Sequence, residues 1–87
     1  MRKPPSWFEP ADEIILDYVH DRAPTTPGPI EDYTYLEWDH IWERAEILEA
    51  AGLLDADDEG RYTVTERGQK YLFGEVDLSE EPEPETE

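Results

Sequence analysis

Asp12-Glu13 and Asp57-Asp58 are neighbouring carboxylate pairs. In such a pair one acid can keep its proton while the other stays ionised, or both can hold a cation. His20 sits beside Asp17 and Asp21 in a third group of this kind. None of the three has a nucleophile, a pocket or metal-ligand spacing around it, so each reads as solvated surface. The chain has no Cys, which removes a disulfide framework, a Cys-based zinc site and a thiol nucleophile. Nothing here points to an enzyme, and no metal or cofactor is expected.

Chemistry directed at phosphate needs bases, and these are scarce. The 87 residues hold 24 Asp+Glu against 7 Lys+Arg, for a formal charge of -17. At ordinary salt that balance repels nucleic acid and opposes compaction. Yet three Trp, five Tyr and two Phe, with apolar residues in periodic blocks, are not the composition of a disordered chain. Few Lys and many acids in a folding pattern suggest adaptation to multimolar salt. The Debye length is ~3 Å at 1 M, so self-repulsion is then largely screened. No apolar run approaches the ~20 residues of a membrane span. The start, Met1-Arg2-Lys3-Pro4-Pro5, lacks the apolar stretch of a signal peptide. A cytoplasmic location and no membrane partner are expected.

The elements that must position any site follow from the pattern. Residues 1–9 form an arm, with Trp7 and Phe8 tucked onto the core. A first helix runs from Pro10, a good first helical residue, to about Arg22. Its expected buried stripe is Ile14, Ile15, Tyr18 and Val19, with Asp12, Glu13, Asp17 and Asp21 facing water. Thr26 caps a short second helix that starts at Pro27, ends near Tyr33 and is anchored by Ile30. Thr34 and Glu37 match a capping box, which predicts a third helix over about 35–51 closed by Gly52. That helix directs Leu36, Trp38, Ile41, Ala45 and Leu48 inward. Strands over about 53–57 and 61–65 flank a turn at Asp58-Glu59-Gly60, and a short third strand near Thr25 is compatible with them. Thr65 caps a last helix holding Tyr71, Leu72 and Phe73 and ending near Gly74. Residues 75–87 carry seven acids and no base, and without them the charge falls from -17 to -10. Val76-Asp77-Leu78 can pack locally, and from Ser79 onward the composition is that of a solvated tail. Helices, then a hairpin, then a short helix is the order of a winged helix-turn-helix. The expected class is therefore α+β: a domain over 10–74 between an arm (1–9) and an acidic tail (75–87).

Several longer stretches carry a resemblance. They are Met1-Arg2-Lys3-Pro4-Pro5-Ser6-Trp7, the run Pro10-Ala11-Asp12-Glu13-x-Ile15-Leu16, and Gly60-x-Tyr62-x-Val64-Thr65-Glu66-Arg67-Gly68. The last of these continues to Tyr71-Leu72-x-Gly74-Glu75-Val76-Asp77-Leu78-Ser79. Together they resemble the small winged-helix proteins of haloarchaea that are likened to the repressor of phage phi-H. The resemblance implies a sequence-specific transcriptional regulator in a cell with molar potassium, with double-stranded DNA as its partner. The DNA-reading face of such proteins corresponds here to His40, Trp42, Glu43, Glu46 and Ile47. Relatives commonly offer bases or small polar residues there, whereas this chain offers one His, two acids and two apolar residues.

Each candidate contact therefore has two readings. His40 bonds a base edge or phosphate, or is a surface His beside Arg44. Arg44 reaches phosphate, or pairs with acids of the first helix or wing. Arg61 is the wing's phosphate contact, or an ion-pair partner of Asp57 or Glu59. Arg2 and Lys3 form a groove-reaching arm, or a plain terminus. Trp42 and Ile47 form a contact surface, or Trp42 folds back over the arm or second helix. The alternative to DNA binding is a module that uses the third helix to hold a protein partner or a second copy of itself.

Overall fold

Four helices and a hairpin run in the order α1 (Pro10–Arg22), α2 (Pro27–Tyr33), α3 (Trp38–Ala50), β1 (Leu54–Ala56), β2 (Tyr62–Val64) and α4 (Glu66–Leu72). The computed structural model describes residues 1–85, so Thr86 and Glu87 of the expected solvated tail lie outside the described residues. The expected bounds of α1 and α2 agree with those observed.

The start of α3 differs. Thr34 does not cap it. The Thr34 N–H and hydroxyl both donate to the Ile30 carbonyl, at 3.0 and 2.8 Å, and the hydroxyl oxygen accepts the Leu36 N–H at 3.1 Å. Thr34 therefore closes α2, because the carbonyls at that helix end lack intrahelical partners. The chain then turns before α3 begins at Trp38, whose N–H donates to the Glu31 carboxylate at 2.8 Å. Trp38, expected inside, lies on the surface, and Leu36 is half-buried.

The hairpin is antiparallel with Leu54 opposite Val64 and Ala56 opposite Tyr62. Leu54, Tyr62 and Val64 point inward while Asp55 and Thr63 point out, the period of two that a half-buried strand requires. The expected third strand is a single bridge. Thr25 and Tyr62 exchange backbone bonds of 3.1 and 2.7 Å, which ties the end of α1 to the wing. Gly52 adopts φ 80° and closes α3 in the left-handed conformation, as expected. Gly68 is a second glycine with a reason: a Cβ there would meet the Leu53 carbonyl oxygen at 2.4 Å and Val64 at 2.6 Å. Its absence lets α4, capped by the Thr65 hydroxyl, press onto the hairpin.

The core joins Ile15, Leu16 and Val19 of α1, Ile41, Ala45 and Leu48 of α3, Leu54 and Val64 of the hairpin, and Tyr71 and Leu72 of α4. The expected stripe of α1 was rotated. Ile14 is exposed and Tyr18 half-buried, while Ala11, Asp12 and Leu16 are buried. The segments before α1 and after α4 are also held, at Lys3, Trp7 and Phe8 and at residues 77–81. Phe8 packs edge-on against Tyr71, with ring centroids 5.4 Å apart. Lys3 and Asp77 form a parallel bridge, and Leu78 is buried beside it. The Trp7 indole donates to the Glu81 carbonyl at 3.0 Å, and the Glu81 carboxylate pairs with Arg67. Glu81, expected in solvent, is thus anchored, because two half-buried donors find acceptors on it.

Candidate nucleic-acid interface

Ile41, Ala45 and Leu48 turn one side of α3 to the core, and Arg44 lies in the same stripe. Arg44 is 5% exposed. Its Nε and Nη2 donate to the two oxygens of Asp12 at 2.8 and 2.7 Å, the forked geometry that fits guanidinium to carboxylate. Asp12 also accepts the Glu9 N–H at 2.8 Å, and Arg44 Nη2 donates to the Trp7 carbonyl at 3.3 Å. Among the described residues no buried side-chain polar atom lacks a partner. The hydrogen bonds to Asp12 hold the guanidinium above its usual pKa despite burial. The phosphate role considered for Arg44 does not fit this geometry, and neither does a water-facing Asp12. The pair instead fastens α3 to α1.

Glu9 extends the arrangement to the surface. One of its carboxylate oxygens lies 3.2 Å from Arg44 Nη1, and the other 3.2 Å from His40 Nε2. His40 is therefore held at the margin of the outer face of α3. That face presents Asp39 and Glu43, with Glu46 and Ile47 half-buried. Trp38 and Trp42 are 43% and 38% exposed and stack on each other, with centroids 5.6 Å apart and planes 9° from parallel. Trp42 thus rests on Trp38.

At the wing, the Asp57 carboxylate organises the turn. One oxygen accepts the N–H groups of Glu59 and Arg61, both at 2.9 Å. The other accepts Arg61 Nε at 2.8 Å, and Arg61 Nη2 also pairs with Glu59 at 3.2 Å. Gly60 completes the turn at φ 77°. The Arg61 N–H, with the Glu59 N–H and the Arg61 side chain adding to it, holds the Asp57 carboxyl below its usual pKa. Arg61 is thus in ion pairs, but exposed ones.

The arm is not free. Arg2 pairs with Glu13 and Asp17 at 2.9 and 2.7 Å and donates to the Leu72 carbonyl, and Lys3 lies 3.8 Å from Asp77. Lys70 pairs with Glu66 and Arg67 with Glu81. Of the seven bases, six therefore face a carboxylate among the described residues. Of the two readings of Arg44, pairing with an acid of the first helix is the one observed, while Glu9 as a second partner and the burial of Asp12 were missed. The signals were their three-residue spacing at a helix start and the place of Arg44 between Ile41, Ala45 and Leu48. Among the described residues no group of acids and histidines could hold a metal ion, and no helix is long and apolar enough to cross a membrane.

A short α2, a turn, an α3 with one open side, and a hairpin bound back to the end of α1 define a winged helix-turn-helix. The family model of winged helix-turn-helix phage repressors matches residues 1–84, and the chain belongs to that family. It is similar to the PhiH1 repressor-like protein from Haloarcula marismortui, known from a crystal structure. The identity is 30% and the TM-score 0.86, over 95% of this chain and 97% of that one. No curated protein matches the chain.

Proposed function

We propose that this protein is a DNA-binding transcriptional regulator of repressor type, working at high salt, which sets α3 in the major groove with the hairpin alongside. The observation that supports this most is the open face of α3, displayed by a fold that matches a phage-repressor family over residues 1–84. Glu43 is suited to accept from a cytosine amino group, and His40 to bond a base edge. Arg61 reaches backbone phosphate by leaving Asp57 and Glu59, since exposed pairs contribute only ~0–1 kcal/mol. Arg44 positions the helix from behind. Arg2 and Lys3 are engaged with acids and stay outside the contact set. At molar salt the Debye length is ~3 Å, so the acids of α3 and the wing repel phosphate only at close range.

Selection from a random duplex pool in about 2 M KCl tests this reading. One sequence class should be enriched, and Glu43→Ala should lose ~1–3 kcal/mol of discrimination at one base pair. A pool that stays unenriched would contradict it.

The exposed Trp38–Trp42 stack favours a second reading, in which α3 grips a protein partner. In that case Trp42→Ala should weaken partner capture by ~2 kcal/mol or more, with a lesser contribution from Ile47→Ala and none from Arg61→Ala.

A further inference from the structure

Arg22 is the base left over when the six pairs are counted: among the described residues no carboxylate lies within ion-pair distance of it. In a chain with 24 acids this is not for lack of partners. Its guanidinium lies over the faces of Tyr18 and Tyr33 instead, 4.6 and 4.5 Å from the ring centroids. Among the described residues the Arg22 guanidinium donates no side-chain hydrogen bond and makes no ion pair, so its N–H groups can donate to a ligand. The two rings also hold the group in place, which lowers the entropy cost of binding to it.

This clamp borders a cleft of about 480 Å³ between α1 and the connection from α2 to α3. Ile14, Tyr35 and Leu36 supply further apolar wall, and Ile14 and Tyr35 are exposed. The charges facing the cleft are Asp17, Asp21 and Arg22. Asp17 is neutralised by Arg2 at 2.7 Å. A cationic ligand would be repelled by Arg22, which already lies over Tyr18 and Tyr33. A bare phosphate would leave the apolar wall unused and bring two charges near Asp21. We infer that the cleft binds a small organic carboxylate with an aromatic or branched apolar body. Its carboxylate meets the edge of Arg22, and its body lies against Ile14, Tyr35 and Leu36. This stands apart from duplex reading and does not depend on it.

Phenylacetate is a suitable probe, with phenylacetamide as its neutral counterpart and inorganic phosphate as the bare anion. Each is titrated into the full chain in molar KCl while backbone amide shifts are followed by NMR. Phenylacetate should give saturable shifts confined to residues 14–22 and 33–36, with a Kd on the order of millimolar for a ligand of this size. Phenylacetamide and phosphate should bind at least about tenfold more weakly, the factor that 1.4 kcal/mol represents. Arg22→Gln should remove the preference for acid over amide. Tyr35→Ser, at a fully exposed position, should weaken phenylacetate without unfolding the domain. The inference is overturned by the absence of a saturable response, by equal binding of the amide, or by an acid preference that survives Arg22→Gln. Equal binding of phosphate would also overturn it and would mark an anion contact for a nucleic-acid backbone instead.

Discussion

Asp12–Arg44 and Asp57–Arg61 are built from the same two residue types and closed to 2.7 and 2.8 Å. The first lies between α1 and α3 with side chains 0% and 6% exposed, and the second at the hairpin tip with 38% and 45% exposed. Distance alone would rank them equal, but burial separates them. Taking Arg44 from the first pair strands the Asp12 carboxylate where water cannot reach it. The second pair can open into solvent at little cost. The chain thus uses one pair as a fixed brace behind its candidate reading helix and the other as an exchangeable cation on its wing.

The largest effect expected from this contrast is on stability. Arg44→Ala should cost ~3–5 kcal/mol in urea unfolding at molar KCl, because the Asp12 carboxylate stays buried without its partner. Replacing both residues, Asp12→Leu with Arg44→Met, should recover most of that loss. A single-variant loss below ~1 kcal/mol would erase the distinction between the two pairs.

At the wing, Arg61→Ala should change stability by less than ~1 kcal/mol. Salt sharpens the difference further. The thermal midpoint of the wild type should climb from dilute to molar KCl as self-repulsion among the acids is screened. Any deficit of Arg61→Ala should vanish over that range while the deficit of Arg44→Ala persists, since buried pairs are screened much less.

The smallest effect concerns pH. The Asp57 carboxyl is held below its usual range in the folded chain, so its contribution is present above the unfolded carboxyl pKa. That contribution is lost as the pH falls through the lowered folded value. Carboxyl NMR titration should show Asp57 protonating below the usual Asp range as the pH falls, and the Glu59 and Arg61 amides should move with it. An Asp57 that titrates in the ordinary range would remove its role in the turn.

Most of the frame was legible because it rests on periodicity and caps. Pro10, Pro27, Gly52 and Thr65 mark element ends through local backbone chemistry, and each stands where it was expected. The hairpin was equally plain from Tyr62 and Val64 alternating across the Gly60 turn. Less was legible where a residue's partner lies far along the chain. Asp12 and Arg44 are 32 residues apart, so the pattern placed Asp12 in water and left Arg44 between a phosphate role and a pair with acids of the first helix or wing. Thr34 misled for a related reason. The end of α2 and a start of α3 compete for the same hydroxyl, and sequence alone does not rank them. Charge-poor stacking was also hidden: neither the Trp38–Trp42 pair nor the Tyr18–Arg22–Tyr33 clamp has a spacing that sets it apart from core residues.

The proposed use of the wing pair has a thermodynamic signature. A protein that meets phosphates with free bases releases counterions, and its log affinity falls with log salt by about 0.9 per phosphate. Here Arg61 must first leave Asp57 and Glu59, and those carboxylates take up cations as the phosphate gives them up. Uptake offsets release. The decisive measurement is therefore the affinity for a selected duplex as KCl is raised through the molar range. The account predicts a slope shallower than about -1. A slope of about -4 or steeper would contradict it, because several unpaired cations would then have to carry the binding.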